Sequence, residues 1–305
     1  MKIVIIGAGA LGAYFGTRWH DAGHEVINLV REGRAEQLRE HGLKINSAVE
    51  DTEWTNPNVT EDPSTIENPD LVVLAVKGYH LDGTLPWLKT LTKKGAKVLP
   101  LLNGVEHYAI LEKELGEETV LGGLAFIIAT LDDKGHVVHT SDFHDLVFGP
   151  LHPSQEAICE ELKIASNQAV MNSRMSQDIL KEIWKKYMFI TAFSGITTAM
   201  NATIGEIRSS PPTFLIAKKM LEDMQRLSVA NGIKIGQKEV DKAYKQLQNL
   251  EDHMTSSMHQ DRRKGLPLEV EHLHGGAIRL AAEKNLTLPY IETIYGMIKP
   301  HDGMD

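Results

Sequence analysis

The sequence predicts an α/β domain built on a parallel sheet, followed by an all-α domain. Three observations predict it. Short apolar runs alternate with amphipathic ones through the first half. A glycine-rich turn joins the first apolar run to the first amphipathic one. After Pro153, strand signals give way to long helical segments.

The elements follow in order. Lys2 to Ile6 reads as a buried parallel strand, and Leu11 to Ala22 as a helix ended by Gly23. Glu25 to Val30 is a second strand and Arg34 to His41 a second helix, ended by Gly42. Asp70 to Val76 (DLVVLAV) and Lys97 to Leu102 are the third and fourth strands. Strand, helix, strand at this spacing requires right-handed crossovers and a parallel sheet. Val120 to Thr130, His136 to His139 and Leu146 to Phe148 read as further strands, with a turn at Lys134-Gly135. They extend the sheet and close the first domain. Gln155 to Ala165 reads as a helix, and helical segments then span 177–200, 213–230, 237–250, 269–284 and 289–299. The expected domains are 1–174 and 175–305.

Composition narrows the function. A length of 305 residues suits two domains, and 42% hydrophobic with 24% charged residues is ordinary for a globular chain. The net charge of -9 argues against a nucleic-acid partner, whose phosphates need neutralising. The one cysteine, Cys159, permits no intrachain disulfide and reads as a small core residue, which fits a reducing cytoplasm. The histidines form no HExxH pair or Cys/His cluster, so no metal site is expected. Lys2 and the apolar run from Ile3 to Phe15 have the outline of a signal peptide, but Gly7, Gly9 and Gly12 interrupt it at a spacing with another meaning. No apolar stretch reaches the roughly 18 residues of a membrane span.

That spacing is Gly7-Ala8-Gly9-Ala10-Leu11-Gly12, a GxGxxG motif between a strand and a helix, the context of a Rossmann dinucleotide site. Gly7 permits the tight turn, Gly9 lets the backbone approach a pyrophosphate, and Gly12 lets helix and strand pack closely. The helix N-terminus then offers N–H groups and a positive dipole end to phosphate. At the end of the second strand stands Arg31, whose guanidinium suits a ribose 2′-phosphate and so NADPH. Glu32 is the rival, able to hold a 2′-hydroxyl instead; Arg34 adds positive charge nearby. Lys77 and Asn103 end two further strands, where ligands bind in open α/β sheets. Each also has a plain reading, as a loop lysine and as a turn residue before glycine.

These first-domain segments, GAGALG, Arg31, AVK at 75–77 and LLNG at 101–104, resemble ketopantoate reductases (2-dehydropantoate 2-reductases). The second half agrees in order. Trp184-Lys185-Lys186 resembles the family's W-x-K, and Ser256-Ser257-Met258 with Asp261 its SSM-x-x-D. Glu269, followed by Glu271, Gly275 and Gly276, resembles its E-x-D-x-x-x-G helix, and Leu288-Pro289 with Tyr295 its last helix. The resemblance implies NADPH-dependent reduction of a 2-oxo acid to a 2-hydroxy acid, with 2-dehydropantoate, an intermediate of pantothenate biosynthesis, as the named candidate. It implies Lys186 as the catalytic lysine, Glu269 as an acidic partner at the substrate and nicotinamide, and Ser257 as a substrate-binding hydroxyl. Asn103 falls between cofactor and substrate, Lys77 and Arg31 on NADPH, and a backbone contact near Ala129 on the cofactor.

The chemistry is coherent. Hydride addition to a ketone builds negative charge on oxygen, and an ammonium can stabilise that charge and donate the proton. Plainer readings exist: Lys186 as an exposed ion pair with Glu182, Glu269 as a first-turn acid after Pro267, and Ser257 as a helix-end hydroxyl. One departure stands out. The family's substrate asparagines are replaced here by Ile190, Ser194 and Ile204. Lys186, Ile190 and Ser194 share one helix face, with Ser194 left as a substrate contact. A paralogue reducing a different, more apolar 2-oxo acid is therefore the alternative substrate reading. An imine- or amino-acid-forming dehydrogenase, or a non-catalytic NADPH-binding regulator, are the rivals from other classes. Homodimerisation through the helical domain is an expectation that periodicity does not itself supply.

Overall fold

The computed structural model describes residues 1–303. The chain forms two compact units. The first holds residues 1–102 and 107–179; the second holds 180 onward together with the short segment Asn103–Glu106.

The first unit opens with β1 (Lys2–Ile6), α1 (Ala10–Asp21), β2 (Glu25–Leu29) and α2 (Glu32–His41). Three strands not expected from the sequence follow: β3 (Leu43–Ser47), β4 (Thr52–Trp54) and β5 (Val59–Thr60). Then come β6 (Leu71–Leu74), α3 (Leu81–Thr92), β7 (Lys97–Pro100) and α4 (Glu106–Leu115). The sheet order is β5-β2-β1-β6-β7, and every neighbouring pair is parallel. From β1 the chain moves outward through β2 and then restarts on the other side at β6. The order therefore reverses between β1 and β6, which is where such sheets bind ligands. β1 and β6 are buried on both faces, as near-continuous Ile/Val/Leu strands under helices must be.

A second sheet completes the unit. β8 (Gly122–Leu131) and β9 (Val137–Gly149) form an antiparallel hairpin; α5 (Glu156–Asn167) and β10 (Asn172–Met175) follow. The sheet order is β10-β9-β3-β4, with β8 also on β9. The expected strands 136–139 and 146–148 are thus one strand. The gap between them is a bulge in the β8–β9 ladder, held where His139 Nε2 meets the Phe143 carbonyl oxygen at 2.9 Å. The expected boundary at 174/175 is corrected to follow Ile179, because β10 is laddered onto β9 and the Ile179 side chain packs at Gly122 and Gly149. Cys159 lies in the core, and burial pushes its thiol up to about 12.

The second unit is helical: α6 (Ile179–Met200), α7 (Ile204–Arg208), α8 (Pro211–Ala230), α9 (Gln237–Asn249) and α10 (Ser257–Arg263). A π-turn at Glu271–Gly275 leads into α11 (Gly276–Glu283), and α12 (Pro289–Ile298) ends the bundle. The expected helix 269–284 is therefore two pieces with a widened first turn. Among the described residues no helix is long and apolar enough to cross a membrane.

Candidate active site

The glycine turn is built as its sequence demands. Gly7 has φ +92°, and a Cβ there would lie 2.8 Å from the Ala75 backbone. At Gly12 a Cβ would come within 2.3 Å of the Gly7 carbonyl oxygen. Gly9 differs: a Cβ there would meet nothing within 4 Å. Packing demands glycine at positions 7 and 12, whereas Gly9 faces open space at the mouth of α1. That is the cradle a pyrophosphate requires, with the first-turn N–H groups of α1 lacking intrahelical partners. A dinucleotide fits these residues.

Arg31 sits at the end of β2 as the N-cap of α2, exposed, with its guanidinium 3.4 Å from where Gly83 of α3 would carry a Cβ. Lys77, at the end of the β6 segment, caps the short turn Gly78–His80 that opens α3. Burial and the facing Arg31 charge lower the His80 pKa, so Arg31 and the turn after Lys77 share one corner. Arg34 is spent differently. Its Nε donates to the Ala8 carbonyl oxygen at 2.8 Å and its Nη2 to that of Gly135 at 2.9 Å; Nη1 donates to Gln37 Oε1. Arg34 is a brace that fixes the glycine turn, and burial lowers its pKa to about 10. Ala129 lies in the outer half of β8, opposite His139 and beyond the bulge.

In the second unit, Lys186 of α6 is 9% exposed and Glu269 4% exposed. Burial pulls the Lys186 pKa down to about 8, against the opposing pull of Glu269. Lys186 is buried rather than exposed on its helix, and the neighbouring Lys185 pairs with Glu182 at 3.3 Å. Next to Lys186, the Tyr187 hydroxyl donates to the Leu273 carbonyl oxygen at 2.6 Å, and the Leu273 amide bonds the Glu269 carbonyl oxygen at 2.9 Å. α6 and the π-turn therefore hold Lys186 and Glu269 together.

The remaining expected residues scatter in role. Asn103 is half-buried and groups with this unit, and Gly104 beside it packs against His272. Ser257 is exposed at the first position of α10. The preceding Ser256 is the structural hydroxyl: it accepts from the His259 amide at 3.1 Å and shares a 2.9 Å hydrogen bond with Thr197 Oγ1. Ser194 is 1% exposed, and its Oγ has no hydrogen-bond partner among the described residues. Ile190 is half-buried, and Ile204 is fully buried at the start of α7. No sequence pattern signals the Arg34 brace or the Tyr187 anchor, because both reach partners distant in sequence.

Comparison with known proteins places the chain. Residues 3–153 match the family described as "Ketopantoate reductase PanE/ApbA", and residues 163–302 match "Ketopantoate reductase PanE/ApbA C terminal". The chain belongs to the ketopantoate reductase family. It is 33% identical over 308 residues to "Uncharacterized oxidoreductase YkpB" of Bacillus subtilis (strain 168), covering 99% of each. Among solved structures it is similar to 2-dehydropantoate 2-reductase from Geobacter metallireducens GS-15, with TM-score 0.90 and 24% identity over 98% of this chain and 99% of that one. It is also similar to D-mandelate dehydrogenase with NADH and anilino(oxo)acetate, with TM-score 0.88 and 23% identity over 99% and 98% of the two chains. Ketopantoate reductases are oxidoreductases, and the two-domain plan described above is theirs.

Proposed function

We propose that this member reduces a 2-oxo acid to the 2-hydroxy acid with NADPH, with 2-dehydropantoate as the first substrate to test. One observation carries the reading: a buried lysine, Lys186, is held beside a buried acid, Glu269, with its pKa drawn down to about 8. An ammonium so placed gives up its proton near neutral pH, where an ordinary lysine does not.

When bound, the reduced nicotinamide supplies the hydride to the carbonyl carbon. Lys186 stabilises the charge that develops on the carbonyl oxygen and gives that oxygen its proton, leaving a neutral amine that solvent reprotonates. Glu269 favours the charged form of Lys186 between turnovers. Gly7 to Gly12 and the mouth of α1 take the pyrophosphate, while Arg31 and Lys77 take the adenosine phosphate end. Asn103 orients the reacting groups, and Ser257 and Ser194 supply substrate hydroxyls.

A second reading keeps the chemistry and changes the acid. Ile190 on the Lys186 face cannot hydrogen-bond, which favours a 2-oxo acid with an apolar side group. The test is oxidation of NADPH and of NADH by the purified protein with a panel of 2-oxo acids, 2-dehydropantoate included. Turnover with 2-dehydropantoate supports the first reading, and turnover only with apolar oxo acids supports the second. Lys186→Ala must keep NADPH binding and lose turnover; full activity in that variant refutes both.

A further inference from the structure

We propose that Arg279 and Glu106 form a clamp that positions Asn103 and Glu269 for the chemistry of Lys186. The proposal rests on the reading of Lys186, Glu269 and Asn103 given above. Arg279 and Glu106 are positioning residues, not catalytic ones.

The segment Asn103–Glu106 leaves the end of β7 and groups with the second unit. Arg279 of α11 grips Glu106 with both arms of its fork: Nε to Oε1 at 2.9 Å and Nη2 to Oε2 at 2.7 Å. The same guanidinium reaches back to the π-turn, from Nη2 to the Glu271 carbonyl oxygen at 2.9 Å and from Nη1 to Glu271 Oε2 at 3.3 Å. Glu271 Oε1 in turn takes Lys299 Nζ at 2.8 Å and the Tyr295 hydroxyl. Lys299 pairs with Asp302 at 2.9 Å, and Asp302 Oδ1 accepts the amide of Leu268 at 3.1 Å. A continuous run of ion pairs and hydrogen bonds thus leads from three residues after Asn103 to the residue before Glu269.

The backbone is shaped around this run. A Cβ on Gly275 would lie 2.6 Å from Glu271 Oε2, and one on Gly276 would lie 2.6 Å from Glu106 Oε2. The two glycines leave room for two carboxylates. Gly104, at φ +85°, lies against His272 of the same turn, where a Cβ would be 3.3 Å from both ring and carbonyl. Tyr187 holds the turn from the other side through Leu273. The widened π geometry lets one turn serve all of these partners, as π-turns at functional sites do.

The clamp also contributes to folding, because it is bidentate, networked and half-covered, with Arg279 52% and Glu106 20% exposed. Its value for the reaction lies in geometry, where a misplacement of about 1 Å can cost a hundred-fold in rate.

The experiment compares wild type, Arg279→Gln, Glu106→Gln, the double variant and Arg279→Lys. Each single glutamine variant is expected to lose about ten-fold or more in kcat. The double variant should lose no more than either single, since both break one unit. Arg279→Lys should recover only part, because an ammonium cannot make the fork. The NADPH Kd should change much less than kcat, as the glycine turn is untouched and only the Asn103 contact is loosened. A kcat within about two-fold of wild type, or additive losses in the double variant, overturns the proposal. A second readout does not depend on activity: in Arg279→Gln, amide hydrogen exchange should quicken in both Asn103–Glu106 and Glu271–Gly275. Unchanged exchange in either segment overturns the clamp. Quickened exchange in a protein that turns over no oxo acid keeps the clamp and sinks the catalytic reading of Lys186 instead.

Discussion

Replacing Lys186 with methionine should abolish turnover, and pairing that change with neutralisation of Glu269 should stabilise the protein at neutral pH. Burial lowers the Lys186 pKa from 10.5 to about 8. At roughly 1.4 kcal/mol per pH unit, the charged ammonium costs the folded state about 3 kcal/mol. The sign follows from linkage. The folded pKa lies below the unfolded one, so between about pH 8 and about pH 10.5 the unfolded chain binds more protons and stability rises with pH. Below that window the cost is felt in full. Methionine keeps the length without the charge and removes the cost, but it leaves Glu269 buried without the ammonium, a loss of similar size. The single variant should therefore move little, and Lys186→Met with Glu269→Gln should gain about 1–3 kcal/mol at neutral pH. Urea unfolding of wild type and the double variant at about pH 7 and about pH 10 is the assay, read on the transition of the helical unit. Wild type should gain about 2–3 kcal/mol more over that interval than the double variant. Equal pH slopes would show that the ammonium is not desolvated, and the account of its acidity would fall with it.

Three other perturbations act on single contacts. Gly9→Ala should unfold at the wild-type urea concentration, because the new methyl meets no protein atom within 4 Å, yet NADPH affinity by fluorescence titration should fall about ten-fold or more; unchanged affinity would remove the pyrophosphate from that cradle. Arg34→Met should destabilise the first unit by about 1–3 kcal/mol and weaken NADPH and NADH alike, whereas Arg31→Ala should weaken NADPH alone; the reverse pattern in paired Kd measurements would exchange the roles of the two arginines. Tyr108→Phe should cost about 1–3 kcal/mol in thermal or urea unfolding, since the buried hydroxyl donates to the Gly123 carbonyl oxygen at 2.9 Å and accepts from its amide at 3.0 Å; a neutral result would mean water replaces it.

Much of the first unit is legible in the sequence because its signals are local. GAGALG encodes its own turn, and DLVVLAV can only be a strand buried on both faces. β3, β4 and β5 are not legible. They are short, they alternate weakly, and β3 is fixed by pairing with Val137–His139, far away in sequence. β10 escapes notice for the same reason: Asn172–Met175 has no apolar period and exists as a strand because β9 lies beside it.

The candidate site divides along the same line. Resemblance picks out Lys186 and Glu269, but no sequence pattern separates a buried Lys186 from a half-buried Lys185; only packing does. Arg34 is the sharper case. Read as a charge beside Arg31, it belongs with a phosphate. In the folded chain its fork is filled by the Ala8 and Gly135 carbonyls and by Gln37. A guanidinium so committed cannot turn to a ligand without releasing the glycine turn it braces. On the proposed reading, a 2′-phosphate would be left to Arg31, which is exposed and lies beside Gly83 of α3. Arg279 follows the same logic in the second unit. Glu271, Gly275, Gly276 and Tyr295 stand out in the sequence only as a pattern. Around Arg279 the pattern acquires its physical reason. The Glu271 carboxylate takes the guanidinium, the two glycines leave space where side chains would collide, and the Tyr295 hydroxyl anchors that carboxylate from α12.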